Sequence, residues 1–117
     1  MEMNVFFASV AVKNYQVACA WYERLLGRPP DMLPNDIEAA WRFSDTAWMY
    51  VIVDADRAGK ALLTLIIDNL DQHLAELGQR GFTPEETEDV PGKYRKVSFR
   101  DPEGNTIAFG QVFTVEG

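Results

Sequence analysis

The stretch DPEGNTIAF, residues 101–109, constrains the fold more than any other part of the chain. Asp101, Pro102 and Gly104 occupy the first, second and fourth corners, where a type I turn prefers these residue types. The residues that follow, 106–109, are β-branched, apolar or aromatic and favour a strand. We therefore predict a tight turn that leads directly into a late, buried strand.

Length and composition are those of a chain that can form a hydrophobic core. The chain has 117 residues, about one domain by the usual length prior, and 47% of them are hydrophobic. The net charge of −7 argues against nucleic acid or an anionic membrane as a partner, because both bind clustered Lys and Arg. It favours a neutral or cationic small molecule instead.

The N-terminal residues predict no export signal. Residues 1–12 are apolar but lack the basic leader and the small-residue cleavage site of a signal peptide. The longest uninterrupted apolar run, 47–53, is far shorter than the ~20 residues of a membrane helix. The single Cys19 excludes an internal disulfide and fits a reducing compartment. We therefore expect a cytoplasmic protein with no membrane contact.

The first part of the chain predicts a strand followed at once by a helix. The β-branched and aromatic residues of 5–12 indicate a buried strand. Asn14 is a good N-cap, apolar residues then recur at helical spacing, and Gly27 supplies the stop. The segment 30–36 is predicted to be an edge strand or an irregular crossing, because its prolines cannot donate to a ladder. The elements predicted after it are a hairpin of 39–43 and 48–53, a strand at 61–67, a helix between Asn69 and Gly81, a hairpin of 82–88 and 93–100, and a strand at 105–112.

The order of elements repeats. A shift of 55 residues places Val12 on Ile67 and the cap Asn14 on Asn69, so strand, cap and helix coincide in the two halves. Each half then contains a strand, a helix and three further strands. We predict an α+β fold of two βαβββ modules, residues 1–56 and 57–117 of one domain, whose curved sheets enclose a cavity.

With this repeat, the chain resembles the vicinal oxygen chelate superfamily of glyoxalases, extradiol dioxygenases, fosfomycin-modifying enzymes and bleomycin resistance proteins. The resemblance spans essentially the whole chain and is carried by VAVKN, AWYERLLG, LIIDNLDQHLAELGQRG and, most specifically, RDPEGNTIAF. It implies a glyoxalase-like fold in which the two modules form a cup-shaped mixed sheet, and often a homodimer.

The resemblance also locates the metal-ligand positions of the superfamily. Metal-dependent members hold a divalent ion with His, Glu or Gln from the first strand of each module and from the last strands. These positions fall at Phe7, Leu62 and Ala108, and the 55-residue shift adds Val53. None of these side chains carries an oxygen, nitrogen or thiolate donor. We therefore expect an apolar pocket with no metal, no cofactor and no catalytic residue inherited from the superfamily.

Aromatic and hydroxyl side chains are the candidates for ligand contacts in this pocket. Aromatic residues of the first hairpin could stack on a flat or cationic ligand, or pack in the core, since the alternation leaves open which face lines the cup. Ser9, Thr64 and Thr106 share the alternation of the vacated metal positions. The predicted ligand-binding residues are Phe7, Ser9, Trp41, Phe43, Trp48, Tyr50, Val53, Leu62, Thr64, Tyr94, Thr106 and Ala108.

Two reactive side chains are predicted to be structural. His73, the single histidine, lies on the apolar stripe of the second helix, and the sequence names no convergent partners for a metal or general-base role. We expect it to be partly buried. Cys19 lies near the stripe of the first helix without a neighbouring base, so we expect a packed thiol.

The leading hypothesis is a homodimer that binds a small organic molecule, cationic or aromatic, in an apolar cup without a metal. Bleomycin resistance proteins provide the analogy, as acidic members without a metal site that sequester a cationic drug between subunits. The alternative is a lyase, isomerase or dioxygenase that uses a displaced metal site or an acid/base residue such as Glu38 or Tyr94. A third possibility is a purely structural dimeric module.

Overall fold

The computed structural model describes residues 1–113, and in this range the elements follow the predicted order. They are β1 (Phe6–Val12), α1 (Tyr15–Leu26), β2 (Met32–Asn35), β3 (Glu38–Ser44), β4 (Ala47–Val53), β5 (Leu62–Ile66), α2 (Leu70–Gln79), β6 (Glu86–Val90), β7 (Tyr94–Arg100) and β8 (Thr106–Val112). The fold is α+β, with two four-stranded mixed sheets and two helices. Neither of these helices has the length and hydrophobicity needed to span a bilayer.

The chain divides into two compact units. Unit 1 consists of residues 1–61 and 101–105, so the DPEGN turn is part of it. Unit 2 consists of residues 62–100 and the chain from Thr106 onwards. Unit 1 contains α1 and β1 to β4, and unit 2 contains α2 and β5 to β8.

The sheet of unit 1, sheet 1, has the strand order β1-β4-β3-β2. β1 runs parallel to β4, and the other neighbours are antiparallel. Of the two alternatives for 30–36, the edge strand is present as β2, and Pro34 is tolerated there because an edge strand has an unpaired side. Helix α1 packs on one face of the sheet, where the rings of Tyr22 and Trp41 lie 6.4 Å apart.

Both ends of α1 have the predicted chemistry. The side chain of Asn14 accepts a 3.1 Å hydrogen bond from the Val17 N–H. Gly27 takes the left-handed conformation at φ 81°, and its N–H donates to the carbonyl of Glu23. The buried stripe of α1 consists of Ala18, Tyr22 and Leu25.

The sheet of unit 2, sheet 2, repeats this arrangement with the order β5-β8-β7-β6. Asn69 caps α2 by accepting a 3.1 Å hydrogen bond from the Gln72 N–H. Leu70 and Leu77 form the buried side of the helix. Phe99 and Phe109 pack edge to face beneath it with ring centroids 6.2 Å apart.

One strand begins later than expected. The sequence predicts a strand from Phe82, but β6 starts at Glu86. Pro84 has no N–H to donate to a ladder. The N–H of Phe82 instead donates to the carbonyl of Leu77, which keeps this segment at the end of α2. The predicted pairing of β6 with β7 is confirmed, with the Lys96 ammonium 3.4 Å from the Glu88 carboxylate.

Candidate functional site

Strand register decides which residues of sheet 1 face away from α1. Trp41 pairs with Met49 and contacts the helix, so Met49 also faces the helix. Trp48 and Tyr50 flank Met49 in β4 and therefore point to the other side. Their partners in β1 are Phe7 and Ser9, which share that side. We call this side, marked by Phe7, Ser9, Trp48 and Tyr50, the open face of sheet 1.

Three of these residues form an aromatic cluster. The ring of Phe7 stacks on that of Trp48 at 5.8 Å and meets that of Tyr50 edge-on at 5.9 Å. Phe7 remains 51% exposed, and the other two rings are half-buried. Aromatic rings held in fixed positions and partly exposed provide surface for stacking or cation–π contact.

A cavity of about 430 Å³ adjoins the aromatic cluster at Tyr50. Ser9 and Ile52 also contribute to its sheet side. The loop after β4 supplies the charged side of the cavity: Asp54, Asp56, Arg57 and Lys60. Two carboxylates and two cations balance there, so the loop adds polar contacts without a net charge. In the sequence, these charged residues have the same pattern whether they line a cavity or face solvent. Their place in the cavity wall could therefore not be predicted.

The prediction that Val53 occupies a metal-ligand position of the superfamily is wrong. Phe7 and Leu62, in the first strands of the two halves, are 55 residues apart. Their partners in the last strands, Trp48 and Thr106, are 58 residues apart. The second half is longer by three residues between its first and last strands. Val53 pairs with Val12 on the helix side of sheet 1 and does not share the open face with Phe7.

The same register identifies the residue of unit 1 that matches Ala108. Ala108 pairs with Thr64, and Ser9, the equivalent of Thr64, pairs with Tyr50. The metal-ligand positions are thus occupied by Phe7, Tyr50, Leu62 and Ala108. Three are hydrocarbon and one is a phenol. Neither the pair in unit 1 nor the pair in unit 2 fits a divalent ion, which needs several oxygen, nitrogen or thiolate donors. Within residues 1–113, no three His, Cys, Asp or Glu side chains converge as a metal-binding group.

The remaining aromatic candidates of unit 1 are not part of the cluster. Trp41 is completely buried in the core, and its Nε1 donates a 3.0 Å hydrogen bond to the carbonyl of Arg28, so its expected ligand contact is wrong. Phe43 is 40% exposed at the irregularity between Arg42 and Ser44. The open-face cluster therefore consists of Phe7, Trp48 and Tyr50.

Four candidates lie together on one face of sheet 2. Leu62 pairs with Thr106 and Thr64 pairs with Ala108, so the four share the side that faces away from Phe109 and α2. Leu62 is 73% exposed, whereas Ala108 is buried. Tyr94 lies on the same side near the other end of β8, opposite Val112. Its hydroxyl donates a 3.1 Å hydrogen bond to Glu88, which raises its pKa.

His73 and Cys19 have the packing that the sequence predicts. The ring of His73 meets Phe109 edge-on at 4.4 Å, and its Nε2 is buried with no hydrogen-bond partner in the described part of the chain. Burial lowers the pKa of His73. Cys19 is half-buried in α1, and burial raises its pKa despite a hydrogen bond with Tyr15. A thiol with a raised pKa is a poor nucleophile.

The DPEGN turn forms a buried polar cluster inside unit 1. Asp101 accepts hydrogen bonds from the hydroxyl of Tyr22 at 2.7 Å and from Nδ2 of Asn105 at 2.8 Å. Asn105 also donates to the carbonyl of Ala11 at 3.0 Å. Glu103 accepts hydrogen bonds from the backbone N–H groups just before α1. The cluster fixes the end of β1 and the start of α1, which positions the open face.

The most informative comparison is with a solved structure. A glyoxalase/bleomycin resistance protein from Catenulispora acidiphila DSM 44928 is 38% identical, with a TM-score of 0.88 over 95% of this chain and 99% of that one. No family model matches the chain, and no curated protein sequence matches it either.

Two more distant structures share the fold. TnmS3, an antibiotic binding protein from Streptomyces sp. CB03234, is 24% identical with a TM-score of 0.71 over 96% of both chains. A lactoylglutathione lyase from Agrobacterium tumefaciens is 15% identical with a TM-score of 0.74 over 92% of both chains. One of these relatives is a binding protein and the other an enzyme, so the fold itself does not choose between them.

Proposed function

Because the chain belongs to the glyoxalase/bleomycin resistance proteins of the vicinal oxygen chelate superfamily, we propose that it binds a small organic molecule on the open face of sheet 1 without a metal ion. The observation that carries the proposal is the ring of Phe7, half-exposed and stacked on Trp48, at a position where metal-dependent relatives place a metal ligand. The side chain at that position provides stacking area instead of a coordinating atom.

The ligand class follows from the surroundings of the cluster. An aromatic part of the ligand stacks on Phe7, Trp48 or Tyr50, and its polar groups reach the cavity beside Tyr50. Two interactions favour a cationic ligand: cation–π contact with the faces of the rings and attraction to the net charge of −7 of the chain. TnmS3, an antibiotic binding protein of the same fold, supports a small organic ligand.

The proposal includes a homodimer in the cytoplasm. Leu33 and Leu62 are each more than half exposed on their sheets, at 65% and 73%. Large apolar side chains exposed at this level favour burial against a second copy of the chain. The single Cys19 is free, which fits a reducing compartment.

The test is a titration with 2-naphthylmethylammonium, a flat aromatic cation, followed by tryptophan fluorescence. Phe7→Ser removes a stacking ring and is expected to weaken binding by about tenfold. Phe6→Ser is the matched control, because Phe6 is the same residue type in the same strand, is 57% exposed, and points to the opposite side of β1. We expect Phe6→Ser to bind the probe like the natural sequence.

Native mass spectrometry of the purified protein checks the metal and the oligomer in the same sample. We expect a dimer without stoichiometric metal. Equal affinities of the two variants for the probe would refute the open face as the binding site. A bound metal together with a chelator-sensitive lyase, isomerase or dioxygenase activity would replace the proposal with the enzymatic alternative.

A further inference from the structure

Sheet 2 carries a cavity of its own, of about 360 Å³, on the side of the sheet that faces away from Phe109. Gly110 of β8 forms the floor of the cavity. It pairs with Ile66 of β5 on one side and with Lys96 of β7 on the other. The next row pairs Tyr94 with Val112. We call the cavity bounded by Ile66, Tyr94, Lys96, Gly110 and Val112 the Gly110 groove.

The floor of the groove is low because Gly110 has no side chain. A β-carbon there would lie 3.1 Å from Cδ1 of Ile66 and 3.3 Å from the carbonyl oxygen of Arg95. The glycine therefore lets Ile66 lean over the strand while the floor stays low. Ile66 remains 61% exposed, so the apolar wall that it forms is accessible. A flat apolar group is the shape that fits over a glycine floor between an aliphatic wall and a tyrosine ring.

The rim of the groove is basic in an otherwise acidic chain. Tyr94 and Lys96 both contact the carboxylate of Glu88, at 3.1 and 3.4 Å, through its two different oxygens. Lys93, in the turn before β7, makes no ion pair within residues 1–113. Lys93 and Lys96 both line the groove, and the carboxylate of Glu88 pairs with Lys96, so the ammonium group of Lys93 adds a positive charge at the rim. This charge is opposite in sign to the net charge of −7.

We propose that the Gly110 groove binds a small anionic amphiphile, with its flat apolar body on Gly110 and its carboxylate or sulfonate beside Lys93 and Lys96. The site lies in unit 2 and takes a ligand of opposite charge to the one proposed for the open face of sheet 1. The two proposals stand or fall separately, because no residue belongs to both sites.

The test is a calorimetric titration of the whole protein with 2-naphthalenesulfonate. Lys93→Gln and Lys96→Gln keep a polar side chain of similar length but remove its charge, and each is expected to weaken binding by about fivefold. Ile66→Ser removes the apolar wall and is expected to weaken binding by about tenfold. Because these three side chains are at least partly exposed, unfolding midpoints close to that of the natural sequence are expected and would show that the fold is kept.

Two controls separate the groove from general charge effects. Lys13→Gln removes the same charge from unit 1, and we expect unchanged affinity for the sulfonate. The three groove variants are expected to bind 2-naphthylmethylammonium like the natural sequence, because that probe addresses the other unit. Absence of saturable sulfonate binding at millimolar concentration would overturn the proposal. Full affinity in Lys93→Gln, Lys96→Gln and Ile66→Ser would do the same.

Discussion

The hydroxyl of Tyr22 donates a 2.7 Å hydrogen bond to Oδ2 of Asp101 in the interior of unit 1. Both residues are almost fully buried. Burial and the neighbouring carboxylate raise the pKa of Tyr22 well above its ordinary value, so the phenol stays protonated and remains a donor. The bond joins the middle of α1 to a turn 79 residues later in the chain.

Tyr22→Phe is expected to reduce the free energy of unfolding by about 2 kcal/mol, because it leaves a buried carboxylate with one donor fewer. Urea denaturation measures the loss. Tyr15→Phe is the matched control, since the hydroxyl of Tyr15 donates a 3.1 Å hydrogen bond to the carbonyl of Glu38 in a partly buried place. Its expected cost is about 1 kcal/mol or less. Equal costs would show that the Asp101 bond is no stronger than an ordinary one.

Glu103→Gln is expected to cost about 1 kcal/mol. The carboxylate of Glu103 accepts hydrogen bonds from the N–H groups of Lys13 and Asn14, at 2.7 and 2.9 Å, and lies at the N-terminal end of α1, where negative charge is favourable. The amide keeps one acceptor oxygen but loses the charge. The loss should shrink in high salt, where the charge term is screened. The same change at exposed Glu85 serves as the control and should be neutral.

Gly59→Ala and Gly92→Ala separate two costs of a side chain. Both glycines have positive φ, 84° and 77°, so both substitutions strain the backbone by about 1–2 kcal/mol. At Gly92 a β-carbon meets nothing within 4 Å, but at Gly59 it would lie 2.4 Å from the carbonyl oxygen of Glu103. Thermal or urea unfolding should show a loss larger by about 1–3 kcal/mol for Gly59→Ala. A smaller loss at Gly59 than at Gly92 would contradict the close approach.

Stability should fall as the pH falls below about 6.5, the ordinary pKa of histidine. The pKa of His73 is lower in the folded protein, so the unfolded chain binds the proton first, and stability is lost between 6.5 and the folded pKa. Burial against Phe109 is the main cause; Arg80 adds to it, whereas Glu76 opposes it.

His73→Leu is expected to flatten this part of the pH profile. Urea midpoints at pH 7.5, 6.5 and 5.5 measure the slope, and His73 is the single histidine of the chain. A slope that persists unchanged in His73→Leu would assign the proton uptake to carboxylates instead.

The helix ends and the turn were predictable because their contacts are local in the sequence. Contacts between residues that are distant in the sequence were not predictable. Asn14, Asn69 and Gly27 define their helix ends through bonds to residues three or four positions away, so the sequence contains both partners. The turn at Asp101 is also local, since the N–H of Gly104 donates to the carbonyl of Asp101. Its bond to Tyr22 is not local, and nothing in DPEGN names that partner.

The candidate site was predictable in type but not in register. The sequence identifies Phe7 as a metal-ligand position and Trp48 and Tyr50 as aromatic candidates, yet alternation alone does not say which face the hairpin aromatics occupy. That answer required the pairing of β1 with β4 and the contact of Trp41 with Tyr22. The misplacement of Val53 has the same origin, because a repeat inferred from helix caps does not report three residues inserted later between strands.

The position of residues 101–105 within unit 1 has a consequence for synthesis on the ribosome. Residues 1–61 emerge first, but the carboxylates that accept from Tyr22 and from the N–H groups before α1 are translated some forty residues later. At about 5–20 residues per second, this delay lasts a few seconds. During that interval the first unit lacks the acceptor of the Tyr22 hydroxyl, and this hydrogen bond can form only after Asp101 has been made.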